Sequence, residues 1–432
     1  MSFDKYGQFF EEYLKPRVAC GMADFVAMGL VPKIDGIYRE DLLELLGWKV
    51  HDQPDVDGVL LSHMHLDHAA YVSFLDPRIP IYCTAVSKRI AKVLLEAGAR
   101  QIDKEIFNFK CRPIIDRRAD AIERSFQLVE PERRFTVGSF EVQPFGVCHS
   151  IPGALAYIIY CPNGIIAYTG DLRVKGPNAH LTAQFIQQAA EEPPDILLCE
   201  GTRIDSQETR TEKDITHDAS QLLPKTKQLV IADYADRDVS RFQTFFQIAT
   251  DHGRKLVISK RDAYLIRELA GCGLTLPDIQ DANILVYIEK RRTGRYIESD
   301  YSGWERPFLN LSNTVNADYV HKHQRNLIVH LGFFHINELL DIKPARGSIY
   351  LHSTSEPHNE EMRIDEERLD NWLARFGLPR YHTHASGHAS GKDIADLIRE
   401  MQPKKLVPIH TEKQELFQPL HQNIDYPKLS SD

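Results

Sequence analysis

The sequence predicts a mixed α/β protein that is large enough for more than one domain. Its 432 residues are 43% hydrophobic, so the chain can bury a large core and fill about two to three domains. Apolar strand-like runs such as GVLLS and PIYCT alternate with amphipathic helical runs along most of the chain. Two further segments, FTVGSFEVQPFGV and ALAYIIYCPNGIIAYTG, have the Gly and Asn-Gly turns of β-hairpins. These three patterns indicate sheets layered with helices.

The elements of the first half follow in a regular order. Helical periodicity covers residues 3–14 and the run from Arg39 to Trp48. Strands are then predicted over 58–62 and 80–84, with a helix over 87–98. Between Arg133 and Tyr168 the two hairpins follow. This order predicts a mixed sheet with helices packed on it.

A second α/β pattern begins after Asp205. The runs KQLVIADY, DVSRFQTFFQIATDHG, RKLVISK and DAYLIRELAG predict strand, helix, strand and helix in turn. The final stretch PRYHTHASGHASGKDIADLIREMQPKKLVPIH predicts strand, loop, helix and strand, with a histidine at each strand end. The second half is therefore predicted to contain a second α/β region, and its final stretch is predicted to add a helix and strands to the first region.

Composition and charge exclude several classes of protein. The formal net charge of −9 argues against a protein that binds nucleic acid by bulk electrostatics, although it permits a local basic groove. No apolar stretch reaches the roughly 18 residues of a membrane-spanning helix, and the N-terminus lacks the basic start of a signal peptide. The seven cysteines are scattered without C-x-x-C spacing, which predicts reduced side chains. We therefore expect a cytoplasmic protein with no membrane partner.

The motif SHMHLDH carries the strongest chemical signal. His63, His65, Asp67 and His68 directly follow an apolar strand. Burying these side chains together would cost several kcal/mol unless a cation neutralises them, and a metal ion does this. In an extended chain alternate residues point the same way, so His63 and His65 would bind one ion and Asp67 and His68 a second.

This H-x-H-x-D-H motif resembles the signature of the metallo-β-lactamase fold. The other ligands of that fold are present in order: His149 in VCHSIPGA, Asp171 in AYTGDLR as the carboxylate shared by both ions, and His410 in LVPIHTE. The resemblance implies an αββα sandwich. A mixture of imidazole and carboxylate ligands suits two Zn²⁺ ions best and also accepts Mn²⁺.

Between Asp171 and His410 the chain resembles the β-CASP branch of that fold, and ribonuclease J in particular. Glu200 in ILLCEGTR and His388 in HASGHASGKD match its additional motifs, and HSTSEPHNEE and GRKLVISKRDAYLI resemble its segments. The resemblance implies an α/β β-CASP domain at 206–364, inserted between two parts of the metallo-β-lactamase domain at 1–205 and 365–432. The opening strands of the family are expected to be missing, because a helical pattern begins at residue 3.

The resemblance also implies roles for individual residues. Asp67, Glu200 and His388 are the catalytic candidates, with Glu200 orienting His388 so that it can protonate the leaving 3′ oxygen. The substrate-binding candidates are Ser386, Gly387, Ser390 and Arg254. Ser390 and Asp393 also have the spacing of a capping box at the start of a helix.

The function implied is a metal-dependent phosphodiesterase that cleaves RNA, with a 5′-monophosphate-dependent exonuclease as the favoured form. RNA is thus the expected partner, and a homo-oligomer is left open. Two alternatives also stay open: a hydrolase of a small ester, lactone or thioester on the same fold, and a non-catalytic scaffold in RNA processing. An insertion of roughly 160 residues argues against a small substrate, and a complete ligand set argues against a scaffold.

Overall fold

A computed structural model describes residues 14–98, 101–114, 120–357 and 359–427. The chain divides into two compact units. The first unit is Met1–Glu208 together with Gly387–Asp432, and the second unit is Thr209–Ser386. Apart from Leu14, the helix expected over residues 3–14 lies outside the described residues.

The strands are numbered in chain order. They are β1 (Val59–Leu60), β2 (Ile81–Cys83), β3 (Asn108–Phe109), β4 (Ile122–Glu123), β5 (Phe126–Leu128), β6 (Phe135–Val137), β7 (Phe140–Gly146), β8 (Leu155–Cys161), β9 (Gly164–Tyr168), β10 (Ile196–Glu200), β11 (Val230–Asp233), β12 (Lys255–Ser259), β13 (Ile284–Tyr287), β14 (Thr314–Val315), β15 (Leu327–His330), β16 (Ile349–His352), β17 (Arg380–His382) and β18 (Lys405–Ile409).

The α-helices are numbered in the same way. They are α1 (Ala23–Ala27), α2 (Glu40–Leu46), α3 (Leu66–Ala69), α4 (Ala85–Ala97), α5 (Ala179–Glu191), α6 (Glu212–Leu222), α7 (Val239–Asp251), α8 (Lys260–Leu269), α9 (Ala317–His323), α10 (Leu339–Ile342), α11 (Glu360–Phe376) and α12 (Gly391–Met401). Short 3-10 helices cover Val18–Cys20, Ala70–Phe74, Ile102–Lys104, Leu223–Lys225, Glu298–Asp300, Arg306–Phe308, Gln324–Asn326, Phe333–Glu338 and Gln414–Phe417.

The described part of the first unit contains three sheets: the two-stranded antiparallel sheet β3-β4 and two larger sheets that face each other. One sheet has the parallel order β1-β2-β5, and the other has the order β18-β10-β9-β8-β7-β6. β6 pairs with β7, and β8 with β9, as the predicted antiparallel hairpins. Leu60 and Tyr82 of the first sheet pack with Val142, Leu155 and Tyr157 of the second, so one core cluster lies between the sheets.

Helices cover the outer faces of this pair of sheets. α5 and α12 contribute Phe185 and Leu397 to a second core cluster, which also contains Leu197 of β10 and Leu406 of β18. α4 buries one apolar face that includes Val86, Ile90 and Val93, and its Lys88 lies over the ring of Phe126 in β5. The αββα sandwich expected for the metallo-β-lactamase fold is therefore confirmed.

The second unit is a parallel sheet with helices on both faces. The strand order is β14-β13-β12-β15-β11-β16-β17, and each neighbouring pair is parallel. Strands such as ILVY at β13 and LIVH at β15 are buried at every position, as strands covered on both faces must be. The inserted α/β domain of the expected fold is thus present.

The limits of the second unit differ from those expected from sequence. Residue 364 lies inside α11, whereas the second unit extends to Ser386 and includes β17. Helix α11 packs on the sheet of the second unit, and β17 pairs with β16 in that sheet. The local pattern of the sequence does not show to which unit these two elements belong. Among the described residues, no helix is both long and apolar enough to cross a bilayer.

Candidate metal centre

A short extended segment and the helix after it carry the first four candidate ligands. The chain stays extended through His65 (φ −68°, ψ 145°), and α3 begins at the next residue. His63 and His65 precede the helix, and Asp67 and His68 lie in its first turn. These residues belong to two different groups of converging ligand atoms, so the change of backbone conformation divides the motif between two sites.

Three imidazoles and one carboxylate form the first group. His63 Nε2 and His149 Nε2 each lie 3.1 Å from His65 Nδ1. Asp171 Oδ2 lies 3.6 Å from His63 Nε2 and 3.9 Å from His149 Nε2. Around a tetrahedral zinc ion with Zn–N bonds of about 2.0–2.1 Å, ligand atoms are about 3.3 Å apart. The spacing within this group is therefore close to that of a zinc site.

Asp67, His68 and His410 form the second group. His410 Nε2 lies 3.0 Å from Asp67 Oδ2, and His68 Nε2 lies 3.5 Å from the same oxygen. His410 follows β18 with a φ of 51°, in the left-handed region that residues other than glycine rarely adopt. Such strain tends to occur at functional sites, where the surrounding structure enforces it.

Asp171 joins the two groups. Its Oδ2 lies 3.0 Å from His68 Nε2, in addition to its contacts with the first group. The preceding Gly170 (φ 55°) allows the tight turn, because a Cβ there would lie 2.6 Å from the Leu155 carbonyl oxygen. Asp171 is 2% exposed, and its Oδ1 accepts no hydrogen bond from any described residue. A buried carboxylate oxygen without a donor is costly unless a cation binds it, so this donor set fits two divalent ions that share Asp171.

The protonation states of these side chains also suit metal binding. Burial lowers the pKa of His63 and of His149 well below the usual histidine value, so both rings stay neutral. Burial alone would raise the pKa of Asp171, but the hydrogen bond with His68 and the nearby imidazoles hold that pKa well below its usual range. Neutral imidazoles and ionised carboxylates are the forms that bind zinc.

Gly387 supports the first group and had been expected to bind substrate. Its carbonyl oxygen lies 2.8 Å from His149 Nδ1, which donates to it, and this contact directs His149 Nε2 to the ligand group. A Cβ at Gly387 would lie 2.8 Å from Ser150 Oγ and 3.2 Å from His149 Cε1. Only glycine therefore allows this close approach without displacing the ligand.

Two supporting hydroxyl groups were missed by the sequence analysis. Thr202 Oγ1 lies 2.7 Å from His410 Nδ1, and Ser62 Oγ lies 3.1 Å from His63 Nδ1. Such partners orient imidazole ligands and select their tautomers. Both hydroxyls belong to motifs that contain candidate site residues, Ser62 to SHMHLDH and Thr202 to ILLCEGTR. Their position beside those residues is the sequence signal that could have identified them.

Glu200 and His388 form a further group with Asp171. Glu200 is 1% exposed and accepts two hydrogen bonds: Oε2 from His388 Nδ1 at 3.0 Å, and Oε1 from the Leu172 N–H at 2.7 Å. Burial lowers the pKa of His388, but the charge and hydrogen bond of Glu200 outweigh it and raise that pKa. The His388 side chain is 19% exposed. The pair therefore presents an oriented imidazole that favours its protonated form.

The two serine candidates are placed differently. Ser390 is 1% exposed and caps α12, with Oγ donating to Asp393 Oδ2 at 2.7 Å and accepting from the Asp393 N–H at 3.3 Å. The capping box predicted from spacing is thus confirmed, and the Ser390 hydroxyl is used inside the protein. Ser386 is half-buried and is the last residue of the second unit.

Arg254, the last substrate-binding candidate, makes structural contacts within the second unit. The side chain belongs to the second unit, and the residue is 7% exposed. Its guanidinium donates to the carbonyl oxygens of Gln228 at 2.8 Å, Leu327 at 3.1 Å and Thr226. These bonds hold the starts of β11 and β15 beside β12 and use three of the five guanidinium N–H donors.

Two family models match the chain. A beta-lactamase superfamily domain matches residues 39–228, and a Zn-dependent metallo-hydrolase RNA specificity domain matches residues 380–418. The first model includes the SHMHLDH motif, His149, Asp171 and Glu200, and the second includes His388 and His410.

The chain is similar to ribonuclease J from several organisms. It is 24% identical to ribonuclease J of Thermus thermophilus over 89% of this chain and 63% of that protein. It is 22% identical to ribonuclease J of Mycoplasma genitalium, over 84% of this chain and 59% of that protein. With ribonuclease J of Pyrococcus abyssi the identity is 24%, over 86% of this chain and 78% of that protein. The chain thus spans about three fifths of the length of the first two relatives.

A solved structure has the same fold. The crystal structure of a protein of unknown function from Enterococcus faecalis V583 aligns with a TM-score of 0.73, at 23% identity over 97% of this chain and 90% of that one. Together with the two-sheet sandwich and the family models, this match identifies a protein of the metallo-β-lactamase fold. Within that fold the chain is of the β-CASP type and is ribonuclease J-like in sequence.

Proposed function

We propose that this chain is a metal-dependent ribonuclease that hydrolyses RNA phosphodiester bonds with two zinc ions, and that it accepts Mn²⁺ in their place. The observation that carries the proposal is the Asp171 carboxylate, which is shared by two groups of imidazole ligands and keeps one oxygen without a hydrogen-bond donor from the described residues. The match to an RNA specificity domain and the similarity to ribonuclease J favour RNA as the substrate.

The ligand residues divide into two sets around Asp171. The metal ligands of the proposal are His63, His65, Asp67, His68, His149, Asp171 and His410. When bound, the ions supply an activated water molecule near neutral pH and neutralise charge that develops on the phosphoryl group. Asp67 is proposed for the catalytic set as well as for the ligands, and its Oδ2 lies 3.0 Å from His410 Nε2, which is the spacing of two ligand atoms of one ion.

His388 is the proposed general acid. With Nδ1 committed to Glu200, the proton for the leaving 3′ oxygen is held at His388 Nε2. Glu200 keeps the ring in one orientation and favours its protonated form. Ser386 and Gly387 precede His388 directly, which places them at the substrate phosphate in this proposal.

The wider parts of the proposal rest on the same similarity. The second unit, Thr209–Ser386, is inferred to be the inserted β-CASP domain, and the remaining chain the two parts of the metallo-β-lactamase domain. Cleavage is inferred to proceed from a 5′-monophosphate end with release of mononucleotides. A cytoplasmic location belongs to the proposal too, whereas the oligomeric state is left open.

The direct test uses RNA labelled at one end. The zinc-loaded chain is incubated with RNA that carries a 5′-monophosphate, with the same RNA carrying a 5′-triphosphate, and with duplex DNA as control. We expect faster loss of the monophosphate RNA with mononucleotide products, no cleavage of duplex DNA, and no cleavage of either RNA by the Asp171→Ala variant.

The other functions give different results in this test. Hydrolysis of a small ester, lactone or thioester by the loaded chain, without RNA cleavage, would contradict the ribonuclease. RNA binding without turnover of any substrate would indicate a scaffold. Equal rates on the two RNA ends, together with cuts in a circular RNA, would replace the exonuclease by an endonuclease.

A further inference from the structure

Exposed cations line one edge of the sheet in the second unit. Because neighbouring strands are parallel, they all start at the same edge, which we call the amino edge. Four adjacent strands, β12, β15, β11 and β16, each have an exposed Lys or Arg at or just before their first residue: Lys255, Arg325, Lys227 and Arg346. With neighbouring strands about 4.8 Å apart, this row of cations spans about 15 Å.

An open cleft lies at the same edge. It has a volume of about 360 Å³ and is lined by Gln228, residues 321–326 and Ala345. Lys322 and Arg325 are exposed members of this lining, and the described residues that line the cleft include no carboxylate. The cleft is therefore positively charged.

Buried polar side chains hold the cleft in shape. Gln324 is 4% exposed, and its amide accepts from the Ala345 N–H at 2.8 Å and donates to the Lys343 carbonyl oxygen at 3.1 Å. On the neighbouring strands, Arg254 donates to the carbonyl oxygens of Gln228 and Leu327. The backbone around the cleft is thus fixed by internal hydrogen bonds, and the side-chain ammonium and guanidinium groups of Lys322 and Arg325 are not the donors of these bonds.

The amino-edge cations also lack counter-charges within the protein. Seven exposed residues share this property, and none of them forms an ion pair with a carboxylate of the described part of the chain: Lys225, Lys227, Lys255, Lys322, Arg325, Lys343 and Arg346. At the opposite edge, where the strands end, Lys260 pairs with Glu289 at 2.5 Å and Arg261 with Asp236 at 3.0 Å.

This separation of charge points to an external anion. The chain has 61 acidic and 52 basic residues, so carboxylates are abundant enough to neutralise a surface. Asp251 and Asp281 also precede strands at this edge, β12 and β13, but the described lining of the cleft has no carboxylate. Cations gathered in such a lining repel one another, and a long anionic ligand relieves that repulsion while it releases its own counterions. A groove of this kind is what a polyanion with repeated charges requires.

We propose that the amino edge of the second unit is a binding groove for the sugar–phosphate backbone of single-stranded RNA. This inference rests on the proposed function, which makes RNA the substrate, and it adds a contact surface that contains none of the metal ligands or catalytic candidates. The amides of Gln228 and Asn326 and the cations beside them are the donors that contact phosphate and sugar without reading sequence. An acidic protein is a poorer partner, because the lining offers no aromatic or large aliphatic anchor in its described residues.

The test compares three variants of the full chain. The groove variant carries Lys227→Ala, Lys322→Ala and Arg325→Ala. The control variant loses the same charge from exposed positions of the same unit, through Lys213→Ala, Arg363→Ala and Arg375→Ala. A third variant keeps the charge of the groove, with Lys227→Arg, Lys322→Arg and Arg325→Lys. Binding of fluorescein-labelled, unstructured RNA is measured by anisotropy over a salt series, in chelator-treated protein so that cleavage cannot interfere.

We expect the salt dependence to change only in the groove variant. The slope of log Kobs against log salt should become shallower by about 2, which is about 0.7 for each of three lost phosphate contacts. The control and charge-conserving variants should keep the wild-type slope. An unchanged slope in the groove variant or an equal change in the control would overturn the groove. Fluorescein-labelled polyglutamate is measured in the same way as an acidic polypeptide, and a groove variant that loses polyglutamate binding while RNA binding stays intact would overturn it too. Failure of zinc-loaded wild type to cut RNA would instead contradict the proposed function, because the binding measurement is made without cleavage.

Discussion

Each unit contains a buried histidine beside aspartates, and the two clusters differ in how their nitrogen atoms are used. In the first unit, His63 Nε2 and His149 Nε2 each lie 3.1 Å from His65 Nδ1, and hydrogen bonds between the rings cannot satisfy all three nitrogens. In the second unit, both nitrogens of His330 donate: Nδ1 to Asp262 Oδ2 at 2.6 Å and Nε2 to the Tyr234 carbonyl oxygen at 2.9 Å.

This difference separates a metal site from a structural ion pair. Asp236, Asp262 and His330 are close enough to suggest a metal site by proximity alone. The two hydrogen bonds of His330 leave no lone pair on its imidazole ring. The Tyr234 ring stacks on that imidazole, with ring centroids 3.7 Å apart. A cluster of His and Asp therefore indicates a metal only when its ligand atoms face one another without protons between them.

The largest expected effect comes from removing the shared carboxylate. Asp171→Ala should reduce bound zinc from about two ions per chain to fewer than one and slow RNA cleavage by about 10³-fold or more, since a metal pair supplies several kcal/mol. Elemental analysis of protein expressed with added zinc measures the first effect and the end-labelled RNA assay the second.

Asp262→Asn is the matched control for this variant. It neutralises a buried carboxylate beside a histidine in the second unit, where the geometry favours an ion pair, so zinc content should stay at the wild-type value. Two ions retained in Asp171→Ala, or zinc lost in Asp262→Asn, would contradict the distinction between the clusters.

A smaller effect is expected where an imidazole lies near the ligands and binds a carboxylate instead. His388→Ala should lower kcat by about 10²–10⁴-fold, the range for a general acid, while zinc content stays unchanged. Glu200→Gln keeps an oxygen for the Leu172 N–H and removes the charge that orients His388. The double variant should be hardly slower than His388→Ala, because residues that act as a unit are not additive. Zinc loss in His388→Ala would make this residue a ligand.

The candidate ligands could be selected from the sequence because each follows an apolar strand and is a histidine or aspartate, and the grouping of their atoms in space was not needed for that selection. His149, Asp171 and His410 all have this position. The fold class followed from the alternation of strands and helices, and the capping box at Ser390 from spacing over three residues. All of these signals are local in the sequence.

Arg254 and His330 show why other features could not be predicted. The guanidinium of Arg254 is used by carbonyl groups from the starts of two other strands, one of which lies 73 residues further along the chain. His330 donates to Asp262, which is 68 residues away in the sequence. The segment VHLGFF around His330 has the pattern of an ordinary buried strand end and gives no sign of this pairing. The hydrogen-bond partners of both side chains depend on the order of the parallel strands in the sheet. Local sequence patterns do not predict that order.

The smallest expected effect is on stability and tests the second cluster directly. Burial alone would lower the pKa of His330, but the charge and hydrogen bond of Asp262 raise it to about 9, above the usual value of about 6.5. A histidine whose pKa is raised by folding stabilises the protein fully below the unfolded pKa and loses that contribution as pH rises through the folded one. Between pH 6.5 and 9 the wild-type free energy of unfolding should therefore lose about 3 kcal/mol through this group.

Asp262→Asn should remove most of this pH dependence. The asparagine oxygen can still accept from Ser259 and His330, so the shape of the cluster is kept while the charge that raises the His330 pKa is lost. Urea unfolding of wild type and variant, with zinc present throughout, should give free energies that differ most at pH 6.5 and converge towards pH 9. Asp236→Asn is the control, because Asp236 is partly exposed and lies 4.0 Å from His330 Nε2, so its effect should stay within about 1 kcal/mol. Parallel pH profiles for wild type and Asp262→Asn would mean that His330 is neutral in the folded protein, which would leave one of its nitrogens with a lone pair and remove the difference between the two clusters.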